Sequence, residues 1–554
     1  MADQEEAALP TYRPAKPLPF ELRQHCGIYF EEKLYTQALD LLLNILTSGT
    51  VASGTAFIPS PQHLALAATF IVHPSTTTRA KTTEEREAAN AALRLLRLTN
   101  TLVGPISARL DTAFSFRRFD SSSRHGGRRR ADDSAASREL RDEETEPLNL
   151  EMGRTGSLWF RAEDFWHAVG WAFNCSVLHP KRWERWQLWL QFMCEVLEDD
   201  WNERIKQLEE MDAGTESATP SRRRERLLKQ SMIYRYLASG SAGHGQNRRI
   251  LRAIFADGSG NTKNEFREVF KNELKELKRD DESLKKRRAD VNIDQDEYGD
   301  YLSKDEDESD ETDNTSRTRP KRPRRTKNKD LPGDIPDVAV VITNSLSDTL
   351  YANGGVSSFG GFQSLALRQR LLHILSMVAE HMPKAFMPLE ELYHLFVENI
   401  RHLSLPAFQA FVSPNVLPHF SPAEHSTLCE FLLFRMRESD APDTDEPYLN
   451  QKKLEECCLP WAANTTTAVD NAKMSILLEA LLSLLAQDGL LSITDGLKQA
   501  VVEGIQARTD KAQDEIRRNQ NRRDVEDIEW CWLIESGERL IFLVENILLL
   551  EEQG

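Results

Sequence analysis

Along most of the chain, apolar residues return every three or four positions rather than every second one, the spacing of a buried helical face. Across residues 22–46, Tyr29, Tyr35, Ala38, Leu42 and Ile45 mark two such faces, and the polar Glu31, Glu32 and Lys33 between them read as the turn of a hairpin. The spacing predicts further helices over 61–72 and 83–102. Over 163–175, Phe165, Trp166, Val169, Ala172 and Phe173 share one side. Pro180 then stands where a proline opens a helix well, because its missing N–H would have had no partner there. The helix behind it carries Trp186, Trp189, Leu190, Met193, Leu197 and Trp201 at threes and fours, with Lys181, Arg182, Glu184 and Arg185 at its start. Seven of the ten tryptophans fall between Trp159 and Trp201, which marks this stretch as the most tightly specified part of the fold. Trp186, Trp189 and Trp201 are expected to hold it together, whereas Trp183, off the stripe, is expected as an exposed contact for a partner.

Charged amphipathic helices are predicted over 222–237 and 247–280, and another series over 364–381, 388–403, 406–411, 422–438, 468–487, 495–519 and 529–552. Several open on a proline. Almost no alternating stretch competes with them. The expected fold class is therefore all-α, with helical hairpins stacked as an irregular solenoid in the style of tetratricopeptide and HEAT arrays.

The pattern breaks twice. Residues 111–157 are rich in Ser, Gly, Arg and acids, including SSSRHGGRRR at 121–130, and read as a flexible surface insertion. Residues 281–336 form the clearest linker: 294–313 hold eleven acids and one lysine, and 317–329 hold eight basic residues and no acid. Like-charge blocks with few apolar groups bury too little surface to offset the entropy of ordering, so this segment is expected to be disordered and to join two bodies. The organisation expected is helical hairpins over 1–110, the insertion over 111–157, a Trp-rich helical module over 158–280, the linker over 281–336 and a C-terminal helical array over 337–554.

Within the first hairpin, Tyr29, Tyr35 and Ala38 resemble the aromatic and small positions of a single tetratricopeptide unit, where the alanine lets paired helices approach closely. The resemblance covers that hairpin alone. Gly27 sits one place off the pattern, and no repeat of the unit follows.

A 554-residue chain exceeds what one core usually serves, and 40% apolar residues can fill more than one. A formal net charge of −17 excludes a protein whose whole surface grips nucleic acid, though local basic tracts still could. Seven cysteines without C-x-x-C spacing suit free thiols in a reducing compartment. Residues 1–8 are acidic and polar, unlike a secretory signal. The most apolar run, 540–550, is interrupted by Glu545 and Asn546, as in a buried helix rather than a membrane span. The sequon at Asn464 is then a coincidence of sequence.

Three short motifs carry chemistry. Lys321, Arg322, Arg324, Arg325 and Lys327, spaced by Pro323, present separated cations as nuclear import signals do, with a second cluster at 285–288. Val338, Val340, Val341 and Ile342, beside Asp330, Asp334 and Asp337, resemble a SUMO-interacting motif, a β-branched run that adds to a sheet edge while its acids meet a basic rim. Ser303, with Glu306 three residues on, has the surroundings of an acid-directed phosphorylation site.

Other patterns fall short. Asp257, Ser259, Asn261 and Glu268 take the spacing of an EF-hand loop, but Thr262 stands where the sharp turn demands glycine. Residues 240–245 are glycine-rich without the Lys-Ser/Thr of a phosphate loop. No H-E-x-x-H, zinc-spaced His/Cys pair or serine nucleophile elbow is present. The function expected is a nuclear, non-enzymatic scaffold joining protein partners in a larger complex of chromatin or genome maintenance, without cofactor, metal, small-molecule substrate or membrane contact. SUMO is one partner in that reading. The rival is a nucleic-acid-binding factor of RNA processing or DNA repair, using the basic tracts at 124–130, 222–226 and 321–329.

Overall fold

In a computed structural model, the structure describes residues 12–48, 54–116, 148–213, 220–239, 244–275, 355–444, 446, 448–518 and 523–551. Among them are twenty α-helices and one pair of short strands. The strand β1 (Ala15–Pro17) precedes the hairpin of α1 (Phe20–Glu31) and α2 (Tyr35–Thr47), and β2 (Ala56–Ile58) follows it. The two strands pair in parallel, Ala15 with Ala56 and Pro17 with Ile58, which requires the crossover that the hairpin supplies. At three residues each, they are too short to leave an alternating pattern in the sequence.

Next come α3 (Pro61–Val72), α4 (Thr83–Val103) and the one-turn α5 (Leu110–Ala113). Pro61 opens α3 as its periodicity predicts, and α4 starts on a capping box in which Thr82 accepts from the Glu85 N–H while Glu85 accepts from the Thr82 N–H. Ten of the twelve α3 residues are buried, so this helix is a central strut rather than a surface element.

The Trp-rich stretch builds α6 (Leu158–Arg161), α7 (Phe165–Leu178) and α8 (Pro180–Ala213). Asp164 caps α7 by accepting from the His167 N–H at 2.8 Å. The helix predicted over 222–237 is two helices, α9 (Pro220–Leu228) and α10 (Met232–Ala238), because Ser231 stops the first and caps the second through the Tyr234 N–H. The stretch read as one helix over 247–280 likewise divides into α11 (His244–Ile254) and the short α12 (Gly260–Glu265), with Gly258 at φ +75° between them.

After residue 354 follow α13 (Gly361–His381), α14 (Leu389–Ile400), α15 (Leu405–Val412), α16 (Pro422–Met436), α17 (Gln451–Cys457), α18 (Ala468–Gln487), α19 (Asp495–Arg518) and α20 (Arg523–Glu551). A second capping box, Ser421 with Glu424, starts α16, and Thr467 caps α18 through the Asp470 N–H. Two long helices organise the packing. α8 touches α3, α4, α7, α9, α10 and α13; α18 touches α15, α16, α19 and α20.

The sequence separates a body ending at 280 from one beginning at 337, yet the described residues on both sides belong to one compact unit. Buried side chains explain why. Arg368, on α13, reaches back to the carbonyls of Ile254 and Ala256, the latter at 2.9 Å, and its guanidinium lies 4.1 Å from the ring centre of Phe173. Ser364 donates to Ser176 at 3.2 Å, and Arg370 forks onto Glu198 of α8 at 2.7 and 2.5 Å.

Candidate interaction sites

The tryptophan cluster is organised around a carboxylate that local periodicity does not announce. Glu273, 1% exposed, accepts five hydrogen bonds. Its Oε1 takes Arg182 Nε at 2.8 Å, Arg182 Nη2 at 2.5 Å and Trp186 Nε1 at 2.7 Å. Its Oε2 takes Trp171 Nε1 at 3.1 Å and the Phe270 N–H at 3.2 Å. Arg182 spends its remaining N–H groups on Thr77 Oγ1 and the Val72 carbonyl. A charge pair this deep persists only when the lone pairs and protons around it are satisfied, and here they are. The hub ties α7, α8, the turn after α3 and the segment behind α12 together. Its chemistry is structural: every face of the carboxylate is already occupied.

Trp186, Trp189 and Trp201 are fully buried in this core. Trp183 is also buried, at 7% exposure, with its ring centre 6.0 Å from that of Phe173. The expectation of an exposed partner contact there is corrected: Trp183 stands three residues before Trp186 and seven before Leu190, so it extends the same buried face of α8 and packs against Phe173 of α7.

Asp257 ends in local work rather than in a cation site. Its Oδ1 accepts from the Ser259 N–H at 3.0 Å and from Thr262 Oγ1 at 3.1 Å, which closes the turn into α12. Burial pulls its pKa up, but these hydrogen bonds outweigh that and hold the carboxyl below its usual range. Among the described residues no cluster of three or more His, Cys, Asp or Glu side chains is placed to hold a metal. Burial pushes the Cys26 thiol up to about 11 and those of Cys429 and Cys458 up to about 12, which suppresses the reactive thiolate. Burial also takes the His63 imidazole down to about 3, so it stays neutral.

At the junction, His373 Nδ1 lies 2.8 and 2.9 Å from the two oxygens of Glu424. Burial lowers the His373 pKa, yet the hydrogen bond and charge of Glu424, aided by Glu198 and opposed by Arg370, raise it overall. Burial raises Glu424, and the same imidazole with the Ser421 N–H lowers it overall. The histidine contributes fully below its unfolded value of 6.5 and loses that contribution as pH rises through its raised folded pKa. Glu424 contributes fully above 4.5 and loses that contribution as pH falls through its lowered folded pKa. Urea midpoints of the native chain and of His373→Ala should therefore differ most between about pH 4.5 and 6.5 and converge toward pH 9. A gap that widens with rising pH would contradict the pairing.

Several sequence-predicted residues lie outside the described residues: Lys321, Arg322, Arg324, Arg325 and Lys327, the run Val338, Val340, Val341 and Ile342, Ser303, and the basic tract at 124–130. The tract on α9 is described. Arg222, Arg223, Arg224 and Arg226 are all exposed there, with Glu225 paired to Lys229 at 2.7 Å.

The last helix carries a surface the sequence reading missed. Its inner face, Leu533, Ser536, Gly537, Leu540 and Val544, packs onto the core, largely against α18. Its outer face exposes Ile528 (48%), Cys531, Ile534, Ile541 and Phe542 (67%), interleaved with Glu535, Glu538 and Glu545. An ordinary solvent face would be polar at these positions. The neighbouring α19 adds the exposed Val502, and Gly537 lets α20 sit against Ile505 of that helix. The signal was present as Ile534 and Ile541, seven apart, but apolar residues on both sides of one helix hide which side faces out. Among the described residues no helix is long and apolar enough to cross a membrane, so α20 is not a span.

No protein-family model matches the chain, and neither does any curated protein sequence.

Proposed function

We propose that this protein is a non-enzymatic scaffold or adaptor that joins protein partners in a larger nuclear assembly, with chromatin or genome maintenance as its setting. The observation that carries the reading is the outer face of α20, where five exposed apolar side chains alternate with three acids. Such a face matches an amphipathic helix of a partner whose apolar residues alternate with Lys or Arg: the apolar pairs supply affinity and the acids fix register. We read the succession of helical hairpins as an irregular solenoid, an architecture that offers long surfaces of this kind. The basic tract from Lys321 to Lys327 supports nuclear import, and the run from Val338 to Ile342 supports SUMO as an additional partner.

A second reading, a nucleic-acid-binding factor, is favoured by the four exposed arginines of α9. Salt separates the two. Phosphate contacts release counterions and weaken by orders of magnitude between about 0.05 and 0.2 M salt, whereas buried apolar contacts lose much less. Affinity purification of the tagged chain from nuclease-treated nuclear extract, washed at both salt concentrations, is the test. The scaffold reading expects defined proteins at constant ratio through both treatments. Loss of all of them under either treatment would overturn it in favour of the second reading.

A further inference from the structure

The C-terminal part of α14 and the end of α16 frame a cleft of about 540 Å³, lined by His394, Val397, Glu398, Arg401, His402 and Arg435. Each arginine has an ordinary structural role. Arg435 lies in the last turn of α16, where a cation suits the helix dipole, and Arg401 follows the last turn of α14. Those roles account for one arginine at each helix end. They do not account for both opening into the same cleft beside two imidazoles.

Among the described residues, the lining sets two guanidiniums against one carboxylate, Glu398. Lys473, 4% exposed, stands behind its wall and donates to the Arg401 carbonyl at 2.6 Å. Burial, Arg401 and Lys473, only partly offset by Asp470, pull the His402 pKa down, so the ring is neutral. Arg401 Nε donates to His402 Nε2 at 3.1 Å, which places the remaining ring proton of His402 on Nδ1, as a donor. Glu398, the carboxylate of that lining, meets Arg248 at 3.4 Å, and Glu390 lies 3.9 Å from His394. Among the described residues Arg435 has no ion-pair partner.

We propose that this cleft binds a phosphate monoester. Two guanidinium forks match the oxygens of a tetrahedral dianion, imidazole N–H groups add donors, and a dianion balances two arginines where a single carboxylate would not. The cleft is larger than one phosphoryl group requires, so the group can arrive on a phosphorylated serine of another polypeptide or on a small phosphorylated molecule.

Calorimetric titration of the full chain with inorganic phosphate, with a phosphoserine peptide and with the same peptide unphosphorylated tests this. Both phosphorylated probes should bind and the unphosphorylated peptide should not. Arg435→Glu, an exposed change that leaves the fold intact, should weaken both by about tenfold or more, the loss of at least one charge-assisted hydrogen bond. Lys498→Glu, the same charge change on exposed α19, should leave both unaltered. Tighter binding of the peptide than of phosphate assigns the site to phosphorylated protein; equal binding assigns it to small phosphates. No binding of either probe at millimolar concentration, equal binding of the unphosphorylated peptide, or an equal loss in Lys498→Glu would overturn the proposal.

Discussion

Replacing Glu273 with alanine is expected to destabilise the fold by about 3–5 kcal/mol, the usual cost of leaving one member of a buried ion pair uncompensated. Arg182 has a side chain 4% exposed, and its only carboxylate partner among the described residues is Glu273. Without it, a guanidinium stays buried against Thr77 and the Val72 carbonyl, and two indole N–H groups, Trp171 and Trp186, lose their acceptor. Urea unfolding followed by tryptophan fluorescence reads the change directly, since both indoles sit at the site. Removing the two charges together, in Arg182→Met with Glu273→Leu, should recover only part of the loss, because it removes the uncompensated buried charge but leaves the Trp171 and Trp186 N–H groups without their acceptor. A loss below about 1 kcal/mol in Glu273→Ala would mean that the hub does not carry the weight assigned to it.

Arg368→Ala should have an effect of similar size, about 3 kcal/mol or more, for a different reason. Arg368 is fully buried and, among the described residues, touches no carboxylate; burial, partly opposed by the charge of Asp257, pulls its pKa down to about 9, so it remains charged at neutral pH. What holds it are two backbone carbonyls, Ile254 and Ala256, the Ser364 hydroxyl that accepts from its Nε at 3.3 Å, and the rings of Phe173 and Phe359 at 4.1 and 4.9 Å. Alanine leaves both carbonyls without a donor and opens a cavity between α7, α11 and α13. The opening should be local before it is global. Hydrogen exchange is expected to rise first in residues 244–256 and 361–381 while α18 and α20 stay protected. Uniform loss of protection across the chain would contradict the assignment of Arg368 to this junction.

Much of the helical content was legible because local signals coincide with the tertiary outcome. The ranges 61–72 and 468–487 read from periodicity are those of α3 and α18, each with its start signalled by Pro61 or by Thr467 three residues before Asp470. Where the reading went astray, a single residue decided. Ser231 and Gly258 each interrupt a charged amphipathic pattern that continues on both sides, and periodicity is blind to one broken turn. The hub was out of reach for another reason. Glu273 is 91 residues from Arg182 and 102 from Trp171, and an acid in a charged stretch looks like any solvated glutamate until the chain brings it home. Distance also hid the junction: nothing near Arg368 marks it as buried, because its acceptors are 112 and 114 residues away. The cleft between α14 and α16 depends on the approach of two helix ends, which no spacing within either helix records.

The central claim is that the outer face of α20 joins this protein to its partners. The most direct measurement compares the native chain with Ile534→Glu/Ile541→Glu, both tagged and purified from nuclease-treated nuclear extract at about 0.2 M salt, with bound proteins quantified. Both positions are exposed, so circular dichroism and the urea midpoint should be unchanged. The account predicts that at least one stoichiometric partner of the native chain is lost from the variant. Recovery of the same proteins at the same ratios by a folded variant would contradict it.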